Sequence, residues 1–158
     1  MSKCTLASVS AAICVFGFAL ILVPPRANAA PGDACSLLTP AQIKSATSAD
    51  VGAGTAGSAK LCQWNASTPA TSSVKFITLL LYSDTKAFEP GKHMPAPAVV
   101  TPVSGVGDDA FFLAVGDQVG LIVKKGSGAF KIAVYAKLSV DQKESMEKAL
   151  ASQIVSQL

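Results

Sequence analysis

The stretch 103–138 alternates apolar and polar residues in three runs, separated by short turns at 116–117 and 126–128 that contain glycine. A period of two is typical of strands that bury one face, and two- or three-residue glycine turns favour hairpins. The pattern predicts strands at 110–115, Gln118–Lys125 and 129–138. This antiparallel meander is the element around which the rest of the chain is expected to be organised.

Two earlier segments, Leu61–Asn65 and Val74–Tyr82, are also rich in strand-forming residues. In the second segment the apolar positions fall on both faces. Ile77, Leu79 and Leu81 share one face, and Val74, Phe76, Leu80 and Tyr82 share the other. This predicts a central strand that is covered on both sides, and it brings the expected sheet to about five strands.

Two helices are indicated by capping boxes, in which a hydroxyl at the N-cap is followed three residues later by glutamine. Thr39 with Gln42 predicts a short N-terminal helix over Pro40–Thr47, and Ser139 with Gln142 predicts a long helix over 140–157. The expected apolar stripe of the long helix consists of Met146, Leu150, Ile154 and Leu158, with Ala149 beside it. The pattern therefore predicts a single α+β domain with both helices packed on an antiparallel sheet.

Glycine and proline indicate the segments that connect these predicted strands and helices. The glycine-rich stretch 51–60 lacks the Gly-Lys-Ser/Thr ending of a phosphate-binding loop and is interpreted as a mobile connection. A short helical turn is expected to run through Phe88 to Pro90-Gly91. Residues 92–102 contain three prolines, which predicts an extended loop outside the sheet interior.

Residues 1–29 have the pattern of a secretory signal peptide. Lys3 precedes an almost wholly apolar run at 11–23, and Ala27-Asn28-Ala29 places small residues at a cleavage site before Ala30. The expected mature domain is 30–158, located in the periplasm or secreted, with no stable membrane span after cleavage. A retained anchor is the alternative.

Cleavage changes the charge balance. The leader holds two of the 13 basic residues and none of the 10 acidic ones, so the mature charge is (13 − 2) − 10 = +1. A near-neutral domain has no overall electrostatic attraction for nucleic acid or anionic lipid. The mature chain also contains no arginine, which argues against bidentate recognition of phosphate or carboxylate.

Cys35 and Cys62 are the two cysteines that remain after cleavage. In an exported chain such a pair is expected to form a disulfide, whereas a metal or redox pair would favour the closer Cys-x-x-Cys spacing. Cys62 and Trp64 fall on one face of the predicted strand, so the single tryptophan is expected in the core beside the disulfide.

Candidate chemistry is sparse. His93 is the only histidine, so a two-histidine metal site is excluded and a catalytic triad would depend on one loop residue. Asp108 and Asp109 could bind Ca²⁺ or act as an acid and base, but adjacent strand residues point to opposite faces and an aspartate in a turn commonly caps backbone amides. His93, Asp108 and Asp109 are therefore a weak candidate site, and no cofactor is implied.

Two sets of residues together resemble a family. They are Cys35-x-Leu37-Leu38-Thr39 with Cys62-x-Trp64, and Gly105-Val106-Gly107-Asp108-Asp109-Ala110-Phe111-Phe112 followed by Gly120-Leu121-x-Val123-x-Lys125-Gly126. The pattern resembles small exported bacterial proteins of unknown function, many of them lipoproteins. The resemblance implies an α+β fold with a disulfide and implies no catalytic residue. Unlike the lipoprotein members, this chain lacks a cysteine suited to lipidation.

These observations favour an exported, non-enzymatic binding or interaction module whose partner is a small ligand or an envelope protein. A small hydrolase or metal-dependent enzyme using His93, Asp108 and Asp109 is the alternative, and an envelope structural or inhibitor protein is a third. A site is expected in the proline loop or on the exposed sheet face, where Lys131, Tyr135 and Lys137 project.

Overall fold

The computed structural model describes residues 33–69 and 71–158, so the predicted signal peptide at 1–29 lies outside the described residues. The described chain is an α+β fold with one seven-stranded antiparallel sheet in the order β1-β2-β3-β7-β6-β5-β4. The strands are β1 (Thr55–Ser58), β2 (Leu61–Asn65), β3 (Val74–Tyr82), β4 (Val99–Val103), β5 (Asp109–Val115), β6 (Gln118–Lys125) and β7 (Gly128–Ala136), and the helices are α1 (Pro40–Thr47), α2 (Phe88–Gly91) and α3 (Val140–Val155). A 3-10 turn at Ala34–Ser36 precedes α1.

The predicted meander is present as β5, β6 and β7, and β2 and β3 have the predicted bounds. The expected count of about five strands is too low, because the structure adds an edge strand on each side of the sheet. The stretch predicted as a mobile connection contains β1, and the last residues of the predicted proline loop, from Val99 onward, belong to β4. An edge strand pairs on one side only, so it tolerates Pro102, which has no amide hydrogen, and Gly57.

One face of the sheet carries both capped helices and the main core. Both capping boxes form, with Thr39 and Ser139 each accepting from the amide three residues later. Side chains from β2, β3, β6, β7, α1 and α3 fill this core, including Trp64, Ile77, Leu121 and Leu150, none of which is exposed to solvent. None of the described helices is both long enough and apolar enough to cross a membrane.

Strand β3 differs from the predicted facial pattern at its start. Val74 pairs with Ala136 and Phe76 with Tyr135, so one extra residue, Lys75, is inserted as a bulge. The bulge places Val74 in the helix-side core with Ile77, instead of on the face of Phe76 where uninterrupted alternation places it.

The apolar stripe of α3 is rotated relative to the prediction. The buried residues are Lys143, Glu147, Leu150, Ala151 and Ile154, whereas Met146 is half-buried and Ala149 and Leu158 are exposed. Two ionisable residues thus occupy positions that the apolar pattern assigned to solvent, and the helix ends at Val155, two residues earlier than predicted.

The second face of the sheet is only partly covered. A strap (residues 83–98), which includes α2, places Phe88 against Phe111, Ile122 and Ala129 in a small separate core. Phe88 and Phe111 meet edge to face with ring centroids 5.2 Å apart. The α2 turn spans Phe88–Gly91, whereas the sequence predicted a turn that runs through Phe88 and is ended by Pro90-Gly91.

Candidate functional site

Asp108, one of the three predicted site residues, stabilises a turn. Its carboxylate accepts from the Gly126 backbone amide at 2.6 Å and from Lys125 Nζ at 3.2 Å. The Gly126 hydrogen bond first, and the Lys125 contacts second, hold the pKa of Asp108 below its usual value. Asp108 therefore joins the start of β5 to the β6–β7 hairpin as an ionised, hydrogen-bonded group.

Asp109 faces a different partner. Its carboxylate bonds to Lys92 on the strap, and Lys92 Nζ also lies 3.7 Å from Glu89 and 5.0 Å from the centre of the Phe88 ring. The hydrogen bond to Asp109 raises the pKa of Lys92. The Lys92–Asp109 pair connects the strap to the sheet beside the Phe88 core. Asp108 and Asp109 bond to different parts of the fold because adjacent residues of an extended chain point in opposite directions.

The structure does not bring the three predicted residues together as a metal site. His93 is exposed on the strap, and within residues 33–69 and 71–158 no three His, Cys, Asp or Glu side chains are grouped closely enough to hold a metal ion. Both carboxylates are neutralised by lysine, so neither is placed as a free base beside His93.

A groove of about 900 Å³ lies elsewhere, on the helix side of the sheet. It is formed by the chain leading into α1, the loop before β1, the β2 strand and the residues that follow α3. Its lining residues are Cys35, Ser36, Leu38, Thr39, Pro40, Gln42, Ala53, Gly54, Trp64, Ser156 and Gln157. The volume lies within the range of small-ligand sites.

The disulfide sets the position of one wall of this groove. Cys35 and Cys62 are bonded as predicted, with their Cα atoms 5.0 Å apart. At the far end, the Gln157 side-chain amide donates to the Leu37 carbonyl at 2.8 Å and ties the chain after α3 to the same turn. The groove is thus bounded by segments that are linked covalently or by hydrogen bonds.

Trp64 contributes the most unusual feature of the groove wall. Its side chain is wholly buried, and its indole Nε1 has no hydrogen-bond partner among the described residues. Gly54 lies directly against it: a Cβ added to this glycine would stand 2.8 Å from Nε1 and 2.6 Å from Cys62 Sγ. Glycine is required here because the backbone closely approaches the indole and the disulfide.

None of the described residues that line the groove has a charged side chain. Pro40 supplies exposed apolar surface next to the buried side chains of Leu38 and Trp64. The polar groups are neutral and already donate to backbone carbonyls: Ser36 Oγ to Asp33, Ser156 Oγ to Gln153 and the Gln157 amide to Leu37. Gln42 and Thr39 are already joined in the α1 capping box. The arrangement suits a neutral molecule with apolar parts and hydrogen-bonding oxygens, and it offers no nucleophile paired with a base.

The sequence predicted that Trp64 lies beside the disulfide, but it did not predict the groove. The groove depends on segments that are far apart in the chain, from Cys35 to Gln157. No local sequence pattern indicates how close these segments lie in the fold. The single tryptophan next to Cys62 was the available signal. Gly54 was assigned to a connection, although its close approach to Trp64 is what makes it necessary.

Comparisons of this chain with protein-family models, with curated proteins and with solved structures give no match.

Proposed function

We propose that this protein is an exported binding module that takes a small, uncharged ligand in the groove beside Trp64. The ligand presents a carbonyl or other hydrogen-bond acceptor to the indole Nε1 and rests on the exposed ring of Pro40. Export is supported by the leader pattern at 1–29 and by the Cys35–Cys62 disulfide, since disulfides persist in oxidising compartments.

The unpartnered indole N–H of Trp64 carries this proposal. Leaving a buried donor without an acceptor costs about 1–3 kcal/mol, and the great majority of buried polar groups are satisfied. The Gly54 backbone covers Nε1, so an acceptor reaches this atom only when the loop before β1 moves away from the indole, and the hydrogen bond gained would then recover this cost. The described lining residues carry no charge, which favours a neutral amide over a carboxylate or an amine.

The enzyme alternative at His93, Asp108 and Asp109 has weaker support. Lys125 and the Gly126 amide engage Asp108, and Lys92 engages Asp109. Using either carboxylate as a base would require breaking a contact that holds the turn or the strap in place.

Tryptophan fluorescence offers a direct test, because Trp64 is the only tryptophan in the chain. We expect neutral N-acetyl amino acid amides to shift the emission of the exported protein, and the corresponding N-acetyl amino acids, which carry a carboxylate, to bind more weakly. In calorimetry with the best amide, Trp64→Phe is expected to weaken binding about tenfold, since it removes one hydrogen bond and retains an aromatic ring.

Tyr135→Phe is the matched control, because it removes a polar group from an aromatic ring on the opposite face of the sheet. It is expected to leave binding unchanged. Equal affinity of the Trp64→Phe variant and the parent protein would contradict the proposed site, and so would an emission spectrum that no amide alters.

A further inference from the structure

The second face of the sheet has a half that the strap does not cover. We call this region the open face and define it as the outward side chains of β2, β3 and β7 on the side opposite α1 and α3. It includes Gln63, Asn65, Phe76, Thr78, Leu80, Lys131, Ala133 and Tyr135, whose shared side follows from the strand register. The strap packs Phe88 on β5 and β6 and on Ala129 at the start of β7, with Tyr82 at the end of β3 beside it. No second layer formed by the described residues covers the remaining outward positions of β2, β3 and β7.

An aromatic pair forms the centre of the open face. Phe76 and Tyr135 are directly opposite each other on β3 and β7, and their rings stack with centroids 4.2 Å apart and planes 19° from parallel. Both side chains are half-buried although no helix or strand of the described residues covers them. Leu80, four residues after Phe76 on β3, is half-buried on the same side of the sheet. The open face therefore presents a flat apolar centre.

Lysines surround this centre. Lys131 lies on the open face of β7 and crosses the neighbouring strand, where a Cβ added to Gly120 would stand 2.5 Å from its Cε. Lys137 follows β7 on the same alternation as Tyr135, and the bulge in β3 turns Lys75 to the same side as Phe76. None of these three lysines takes part in an ion pair with the described residues.

Acidic residues are missing from the same region. The strands β2, β3 and β7 contain no aspartate or glutamate. The acids of α3, Asp141, Glu144 and Glu147, lie on the helix side of the sheet. A net charge of +1 for the predicted mature chain thus includes a local separation of charge: the open face is basic and acid-free, whereas the acids on the same side of the sheet, Asp84, Glu89 and Asp109, lie at the strap.

We infer that the open face is a docking surface for an anionic lipid bilayer. Lysines around a pair of half-buried aromatic rings match the chemistry of the bilayer interface, where aromatic rings sit at headgroup level and basic residues are attracted to anionic lipid. Lys131 and Lys137 are six residues apart, which is about 20 Å along a strand. Charges spread this widely fit a surface with many anionic groups better than a single acidic side chain.

The type of cation supports the same partner. The described chain has no arginine, the residue suited to bidentate recognition of an individual carboxylate or phosphate. Lysine acts as a point charge, so the attraction is diffuse and depends on salt. This docking surface lies on the opposite side of the sheet from the Trp64 groove, and its test is independent of ligand binding there.

The test is vesicle co-sedimentation with the exported protein, whose N-terminus is verified by mass spectrometry. We expect binding to phosphatidylglycerol vesicles that weakens with added salt, and little binding to phosphatidylcholine vesicles. Each lysine near an anionic surface contributes about fivefold in affinity. The double substitution Lys75→Gln/Lys137→Gln is therefore expected to weaken binding to phosphatidylglycerol by roughly 25-fold.

The matched control is Lys44→Gln/Lys148→Gln, which makes the same change in net charge at exposed positions on the helices α1 and α3. It is expected to change vesicle binding less than twofold. Equal weakening by the two pairs would overturn the inference by showing that net charge alone is responsible, as would equal binding to both lipids. Binding to soluble polyglutamate without binding to phosphatidylglycerol vesicles would overturn it in favour of an acidic polypeptide.

Discussion

Replacing Glu147 with glutamine is expected to increase the free energy of unfolding by several kcal/mol at pH 9 and by only about 1 kcal/mol at pH 5. Glu147 lies on α3, is wholly buried, and accepts from the Val134 backbone amide at 2.8 Å through one carboxylate oxygen. The other oxygen has no partner among the described residues. A charge at this position is poorly compensated, because it has been removed from water.

The strand pairing of the sheet explains why a carboxyl group is buried at this position. The pairing of β6 with β7 ends at Leu121 and Ile132, so the strands separate before Val134. Glu147 supplies the acceptor for the Val134 amide at this separation. One turn earlier on the helix, Lys143, 2% exposed, bonds to the Asp117 carbonyl in the β5–β6 turn. Lys143 and Glu147 thus attach α3 to the sheet in the region where β6 and β7 separate.

The pH dependence has a definite sign. Burial, first of all, raises the pKa of Glu147 to about 8, and Glu144 adds to the increase, whereas the Val134 amide, Lys131 and Lys143 oppose it. In the unfolded chain the pKa is near 4.3, so between these values the folded state binds more protons than the unfolded state. The contribution of the protonated Glu147 carboxyl to the free energy of unfolding is therefore fully present below about pH 4. It is lost as the pH rises from there through about 8, by up to roughly 1.4 kcal/mol per pH unit.

Urea unfolding from pH 5 to pH 9 measures this effect. The Glu147→Gln variant is expected to have a flatter stability profile than the parent protein. Glu89→Gln makes the same chemical change at an exposed position on the strap and is expected to reproduce the slope of the parent protein. Parallel profiles for Glu147→Gln and the parent protein would show that this carboxyl does not determine the alkaline loss of stability.

Removal of the disulfide is the second large effect we expect. The Cys35–Cys62 bond spans 27 residues, and in the chain-entropy model its loss costs about 3.5 kcal/mol. The double variant Cys35→Ser/Cys62→Ser should therefore unfold roughly 10–15 °C below the oxidised protein. Because the bond also sets one wall of the groove beside Trp64, we expect the tryptophan emission to shift to the red in this variant.

Thermal unfolding with and without a thiol reductant provides the comparison. The reductant is expected to lower the Tm of the parent protein toward that of the double serine variant and to have no effect on the variant itself. A parent protein whose Tm is insensitive to reductant, or whose mass shows two free thiols, would contradict the bond's contribution.

Most individual elements could be predicted from local patterns. The capping boxes at Thr39 and Ser139 defined both helix starts, because capping depends on residues within one turn. The alternation from Phe130 onward defined β7 in the same way. The edge strands β1 and β4 were missed, because glycine and proline make their local preference weak and each is stabilised by a neighbouring strand.

The arrangement of buried polar groups could not be predicted. Lys143 and Glu147 belong on the solvent side of α3 by their chemistry, and only the separation of β6 from β7 explains their burial. The groove depends equally on distant contacts, since Cys35, Trp64 and Gln157 meet only in the folded chain. The predicted residues Asp108 and Asp109 are adjacent in sequence, yet they bond to different elements.

By itself, the sequence determined the α+β class, the helix starts, the central strands and the pairing of Cys35 with Cys62, because these depend on local periodicity, on caps and on a count of two cysteines. The tertiary structure decided the seven-stranded order, the rotation of α3, the groove at Trp64 and the acid-free open face. These features are set by which distant segments lie together and by where the sheet leaves backbone amides unpaired, and neither property is encoded within any single stretch of the chain.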